Sequence, residues 1–144
     1  MKLLKVGILF FGMLFSIELQ SQIFKSMQDI ISDKGYDYKL GTTDSGLKRL
    51  TYSKSYTTTA SGTYNQLIVY YFMTLESGQE ICQGFQIVEP STETNSDVIE
   101  LNSKMVKIGY LKWEDYETNY IYQITVTDGL CIISVKYDLD SLNR

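Results

Sequence analysis

From Tyr36 to Tyr137 apolar residues recur at every second position through most of the chain, and one interior stretch turns to a helical period. Alternate side chains of a strand point to opposite faces, whereas a helix repeats near 3.6, so this pattern commits the chain to a sheet. Tyr36, Tyr38 and Leu40 alternate with Asp37 and Lys39. Leu50, Tyr52 and Tyr56 alternate with Thr51, Ser53 and Ser55, and Lys54 at an inward position suits an edge strand. Leu67 to Met73 is apolar on both sides, as in a central strand covered on both faces. Ile81, Phe85 and Ile87 then fall on one face, with Cys82, Gly84 and Val88 on the other. Gly84 marks either a bulge or a close helix approach. The last third reads as a meander: Ile108–Trp113, a turn over Glu114–Glu117, Tyr120–Thr127, an Asp128-Gly129 hairpin turn and Leu130–Tyr137. Asp138–Arg144 reads as a frayed tail.

The helical stretches are short. Ile23, Phe24, Met27, Ile30 and Ile31 form one stripe, stopped by Gly35. Val98, Leu101 and Met105 form a second, and Asp97 with Glu100 resembles a capping box. The expected fold is α+β: two short helices on a curled, mainly antiparallel sheet of six to seven strands, in the order α-β4-α-β3. Each half reads as a helix followed by a meander, with Cys82 and Cys131 each just past a hairpin turn, a faint internal echo.

The chain starts with Lys2 and Lys5 and an uncharged run from Val6 to Ile17. A bilayer span needs about 20 apolar residues, so this shorter run is expected to be an export signal, cut after Ser21. Residues 22–144 are then a single domain, expected in the periplasm or outside the cell, with no stable membrane insertion.

Composition closes off several chemistries. The 144 residues contain no histidine, which removes Ser-His-Asp and Cys-His catalysis and every histidine-ligated metal. The net charge of −4 and the lack of a basic run exclude the footprint of a nucleic-acid binder. There is no P-loop, no G-x-G-x-x-G and no G-x-S-x-G. Asp138, Asp140 and Asn143 offer oxygens but no EF-hand loop. Neither cofactor nor metal is expected.

Three candidates remain. Cys82 and Cys131, an even pair in an exported chain, are expected to form a disulfide, with buried thiols as the other reading. Glu114, Asp115 and Glu117 form the densest acidic patch, expected to be a solvated hairpin tip. The twelve tyrosines and single tryptophan suit a sheet core or a recognition face. Trp113 and Tyr116, beside Glu114 and Asp115, are expected to form a partly exposed aromatic contact surface. The function expected is that of a small exported binding protein without catalysis, with an unknown protein or small molecule as partner. The alternatives are a carboxylate- and tyrosine-based hydrolase or a carrier of an apolar ligand.

Overall fold

The computed structural model describes residues 22–143. Helix α1 is Met27–Lys34; strands β1 Lys39–Thr42, β2 Lys48–Thr58, β3 Gly62–Thr74 and β4 Glu80–Pro90 follow. A 3₁₀ turn, Ser91–Glu93, leads into helix α2, Thr94–Lys104. Strands β5 Val106–Gly109, β6 Lys112–Asp115, β7 Tyr120–Thr127 and β8 Leu130–Tyr137 complete the sheet, before a second 3₁₀ turn at Leu139–Asn143. All eight strands form one antiparallel sheet in the order β1-β2-β3-β4-β8-β7-β6-β5. The order reads as a palindrome: each half is a helix followed by a four-strand meander, and the halves meet where β4 pairs with β8.

The expected six to seven strands are therefore corrected to eight, and the balanced α+β layout to a sheet-dominated fold. The extra strand comes from Ile108–Trp113, which is two strands. The chain reverses at Tyr110-Leu111, where Leu111 takes φ 49°, and Ile124 N donates to Leu111 O at 2.9 Å. A reversal without an Asn-Gly or Asp-Gly pair leaves little trace in sequence. The Asp128-Gly129 turn does form, with φ values of 50° and 75°. The tail is not frayed through Asn143. Asp138 is buried, and its N–H donates to Asn119 O at 2.7 Å.

Helix α1 starts at Met27 rather than Ile23, because Ser26 is the cap: its Oγ accepts from Asp29 N at 3.1 Å. The preceding residues run beside β4. Phe24 N donates to Cys82 O and Cys82 N to Lys25 O. Helix α2 starts at Thr94, three residues earlier than the Asp97 cap expected. Glu100 pairs with Lys104 at 2.7 Å, and Asp97 is freed to face the sheet.

One cross-strand row organises the core. Leu50, Tyr70, Phe85, Val135, Tyr122 and Trp113 are successive register partners on six neighbouring strands. Each is at most 2% exposed. Burying a large apolar side chain contributes about 1.5–3 kcal/mol, so this row and its neighbours (Ile87, Ile133, Ile124) are the main stabilising element. Both helices cover this face. Ile30 and Ile31 of α1 and Leu101 of α2 join the same cluster.

Among the described residues no helix lies over the opposite face, which corrects the expectation for β3. Leu67 and Tyr71 are half-buried, and Met73 is exposed. A bulge also moves Cys82. The β3–β4 register slips between Tyr71 and Phe72, so Gly84 pairs with Tyr71 and Cys82 with Phe72. Cys82 thereby joins Phe85 on the core face instead of opposing it.

At Gly84 the β4–β8 pairing leaves no room for a side chain. A Cβ there would lie 2.7 Å from Val135 O, a backbone atom that cannot swing aside. At Gly109 the nearest atom would be a Lys112 carbon at an ordinary 3.7 Å. Gly84→Ala is expected to lower stability by about 1–3 kcal/mol in urea titration. Gly109→Ala should stay within about 0.5 kcal/mol. Equal effects would contradict the close approach.

Candidate functional site

The residues singled out from sequence do not assemble. Trp113 is fully buried, and its Nε1 donates to Asn102 Oδ1 of α2 at 2.8 Å. The partly exposed aromatic pair with Tyr116 is thus corrected: Tyr116 is exposed in the turn while Trp113 belongs to the core row. Glu114 and Asp115, consecutive on β6, lie on opposite faces, and Glu114 is buried rather than solvated. Asp115 builds the turn. Its carboxylate accepts from Glu117 N and Thr118 Oγ1, each at 3.0 Å.

The disulfide is overturned too. Cys82 and Cys131 are free thiols, both buried. The β4 residue level with Cys131 is Glu89, seven positions beyond Cys82. At about 3.3 Å per residue the two thiols sit roughly 20 Å apart, whereas a bridge needs Cα atoms within about 7 Å. Burial pushes the Cys82 thiol up to about 11 and the Cys131 thiol up to about 12, so neither is a ready nucleophile.

What the fold does assemble is a buried carboxyl cluster beneath the start of α2. Glu89 ends the inward series Phe85, Ile87, Glu89 on β4 and is buried. Its Oε2 accepts from Tyr64 Oη at 3.1 Å and from Gln66 Nε2 at 3.0 Å. Glu93, also buried, accepts from Ser61 Oγ at 2.5 Å and from Thr58 Oγ1, tying the β2–β3 turn to the 3₁₀ turn. Asp97 follows one helical turn later. It is half-buried beside Glu89, and Cys131 Sγ donates to its Oδ2 at 3.5 Å.

Asp97 titrates far from the usual carboxylate range. Burial first, then the hydrogen bond and charge of Glu89, raise it to about 9, and the Cys131 contact opposes only in part. Asp97 is therefore the carboxyl of the cluster that is held protonated near neutral pH. Burial and the same acids also raise the Tyr64 hydroxyl, which stays protonated. Sequence carried one sign of this cluster: Glu89 is a carboxylate at an inward strand position, and Glu93 and Asp97 follow it at intervals of four. The cluster's hydroxyl, amide and thiol donors point at its own carboxylates, so their hydrogen bonds hold the protein together. Among the described residues there is no group of acids and thiols arranged to hold a metal ion.

The second candidate is the uncovered sheet face. Leu67, Val88 and Ile132 form its central aliphatic row, all half-buried. The next row is Val69, Gln86 and Ser134. Tyr71 Oη donates to Gln86 Oε1 at 2.8 Å, and Gln86 Nε2 donates to Ser134 Oγ at 3.1 Å. Register places Lys39, Arg49, Lys112 and Lys136 on this face, with Glu114 as its one strand carboxylate. Arg49 lies flat across Gly41 of β1, where a side chain would collide with it. By contrast Asp29, Asp33, Glu93, Asp97 and Glu100 all belong to the helical layer. Strand aromatics follow the opposite rule: Tyr52, Tyr64, Tyr70, Phe72, Phe85, Trp113, Tyr120 and Tyr122 share the helix-covered face, and Tyr71 alone of the central aromatics looks the other way.

Asp97 gives a signed pH dependence. A carboxyl raised in the folded state stabilises fully below its unfolded value of 3.8, and that contribution is lost as pH rises toward about 9. Asp97→Asn, which keeps a donor toward Glu89, should add about 1–3 kcal/mol at pH 8 and nothing at pH 4 in urea titrations. A gain independent of pH would contradict a carboxyl held protonated chiefly by burial.

Comparison with known proteins finds no family, no curated protein and no solved structure that matches this chain.

Proposed function

We propose that the chain is a binding protein whose working surface is the uncovered face of the sheet. Its partner is a polypeptide segment carrying carboxylates and aliphatic side chains. The observation that carries this reading is the charge bias of that face. In a chain of net charge −4 it holds four strand cations, Lys39, Arg49, Lys112 and Lys136, against one strand carboxylate, Glu114, whereas the helix-covered face carries both signs.

The chemistry of the face selects among anionic partners. Sugars and single-stranded nucleic acids are gripped by stacking on aromatic rings, and the strand aromatics here, Tyr71 apart, face the core. What remains between the cations is aliphatic: Leu67, Val88 and Ile132. Aliphatic side chains of a peptide bury well against such a row, while its carboxylates meet Arg49 and Lys136. The proposal includes export, with residues 1–21 removed. Those residues lie outside the described ones, and among the described residues no helix is long and apolar enough to cross a membrane.

A synthetic peptide of alternating Glu and Val, titrated into methyl-labelled protein, tests the reading. Methyl shifts should concentrate at Leu67, Val88 and Ile132 and spare Ile87 and Ile133 on the core side. Arg49→Glu with Lys136→Glu should weaken binding at least tenfold, about 1.4 kcal/mol, whereas Lys54→Glu, on the other face, should not. Shifts confined to the helices, or affinity unchanged by the double reversal, would contradict it.

A further inference from the structure

The two ends of the sheet differ in charge. The β1–β2, β3–β4 and β6–β7 turns and the segment after β8 lie at one end. They carry Asp44, Glu76, Glu117, Asp138 and Asp140 and, among the described residues, no lysine or arginine. The β2–β3, β5–β6 and β7–β8 turns lie at the other end, and their one carboxylate is Asp128. At about 3.3 Å per residue, the eight residues of β7 put roughly 26 Å between the ends, more than twice the screening length of about 10 Å at 0.1 M salt. The β5–β6 hairpin reverses at this second end, on the edge of the sheet. A bulge at Ile108 breaks its register; Ile108 is 42% exposed and Tyr110 88%. Lys107 is level with Trp113 on the helix-covered side, and Lys112 is level with Gln123 on the other. An apolar tip thus has one cation on each flank, and neither lysine is in an ion pair among the described residues. The tip is held in place: Leu111 packs against the core, and its O accepts from Ile124 N. Strand β5 is guarded against pairing by its four-residue length, its bulge and Lys107, so these side chains do not mark a site of strand addition. Nor does so small a tip approach the roughly 800 Å² per partner of a standard protein interface.

We propose that this hairpin docks the protein reversibly on a phospholipid bilayer with anionic headgroups: Ile108 and Tyr110 enter the interfacial layer, Lys107 and Lys112 meet lipid phosphates, and the acidic end points away. Tyrosine favours the headgroup level, where its ring lies among acyl carbons and its hydroxyl stays wet. Each lysine covers apolar surface with its stem while its ammonium reaches a phosphate. Two apolar side chains and two cations give a weak contact that opens and closes, not an anchor. The contact stands apart from the open-face reading. Lys112 belongs to both surfaces, so the test turns on Lys107 and Tyr110.

The chain as exported, its mass checked so that the Val6–Ile17 run contributes nothing, is sedimented with vesicles of phosphatidylglycerol and, separately, of phosphatidylcholine. It should bind the first, less so as salt is raised, and not the second. Lys107→Glu should weaken binding about tenfold or more, and Tyr110→Ser about fivefold or more. Lys48→Glu, the same reversal beside the acidic β1–β2 turn, should stay within about twofold. Asp128→Asn should tighten binding. In Tyr110→Trp the added emission should be quenched by phospholipid brominated on its acyl chains. No sedimentation with either vesicle, equal sedimentation with both, a loss in Lys48→Glu equal to that in Lys107→Glu, weaker binding in Asp128→Asn, or unquenched emission in Tyr110→Trp would each overturn the docking.

Discussion

The pairing of β4 with β8 holds the two halves of the molecule together. Ile87 faces Ile133 and Phe85 faces Val135, joining residues almost fifty positions apart across an intervening helix and three strands. Each meander alone is a set of local hairpins with one short helix, too little to close a core. Joined at β4 and β8 they carry a single buried row from Leu50 to Trp113. The absence of a side chain at Gly84 is what lets the two central strands lie this close.

Among the described residues, two short helices cover one face of an eight-stranded sheet and not the other. That inequality explains the tyrosines. Tyr70, Tyr122 and Tyr52 pack under the helices, with Tyr52 and Tyr70 edge-to-face at 6.2 Å and Tyr52 Oη donating to Gly35 O at 2.8 Å. It also explains why the other face is mixed: aliphatic in the middle, hydroxyl- and amide-bearing around it, with cations at intervals. The carboxyl cluster and the proposed binding surface lie back to back on the same two strands. Glu89 and Cys131 point to the helix-covered face, and their neighbours Val88 and Ile132 point to the other.

Much of the sheet was legible because alternation is a local property. β2, β3, β4, β7 and β8 follow directly from it, as does the Asp128-Gly129 turn. The missed features are those that local pattern does not encode. The β5–β6 reversal uses Leu111 at positive φ, a conformation no residue type announces there. The bulge beside Gly84 inverted the facing of Cys82, and with it the argument for a disulfide. Leu67–Met73 looked doubly covered because composition reports apolarity and not whether a second layer exists. For the carboxyl cluster, Glu89 on an inward strand position was visible, but its meeting with Asp97 depends on a helix that starts three residues earlier than its capping pattern implied.

The central claim is that one face of this sheet is core and the other is open, and two adjacent residues of β4 test it. Ile87 is fully buried on the helix-covered face, and Val88 is half-buried on the other. Lysine at each position, followed by urea unfolding, separates the faces without moving the backbone site. Ile87→Lys should fail to fold, because an unpaired charge would sit in the dry core. Val88→Lys should fold and lose less than about 1 kcal/mol, since its ammonium reaches water from that face. If Val88→Lys unfolds the protein as completely as Ile87→Lys does, both faces are buried and the one-sided architecture is wrong.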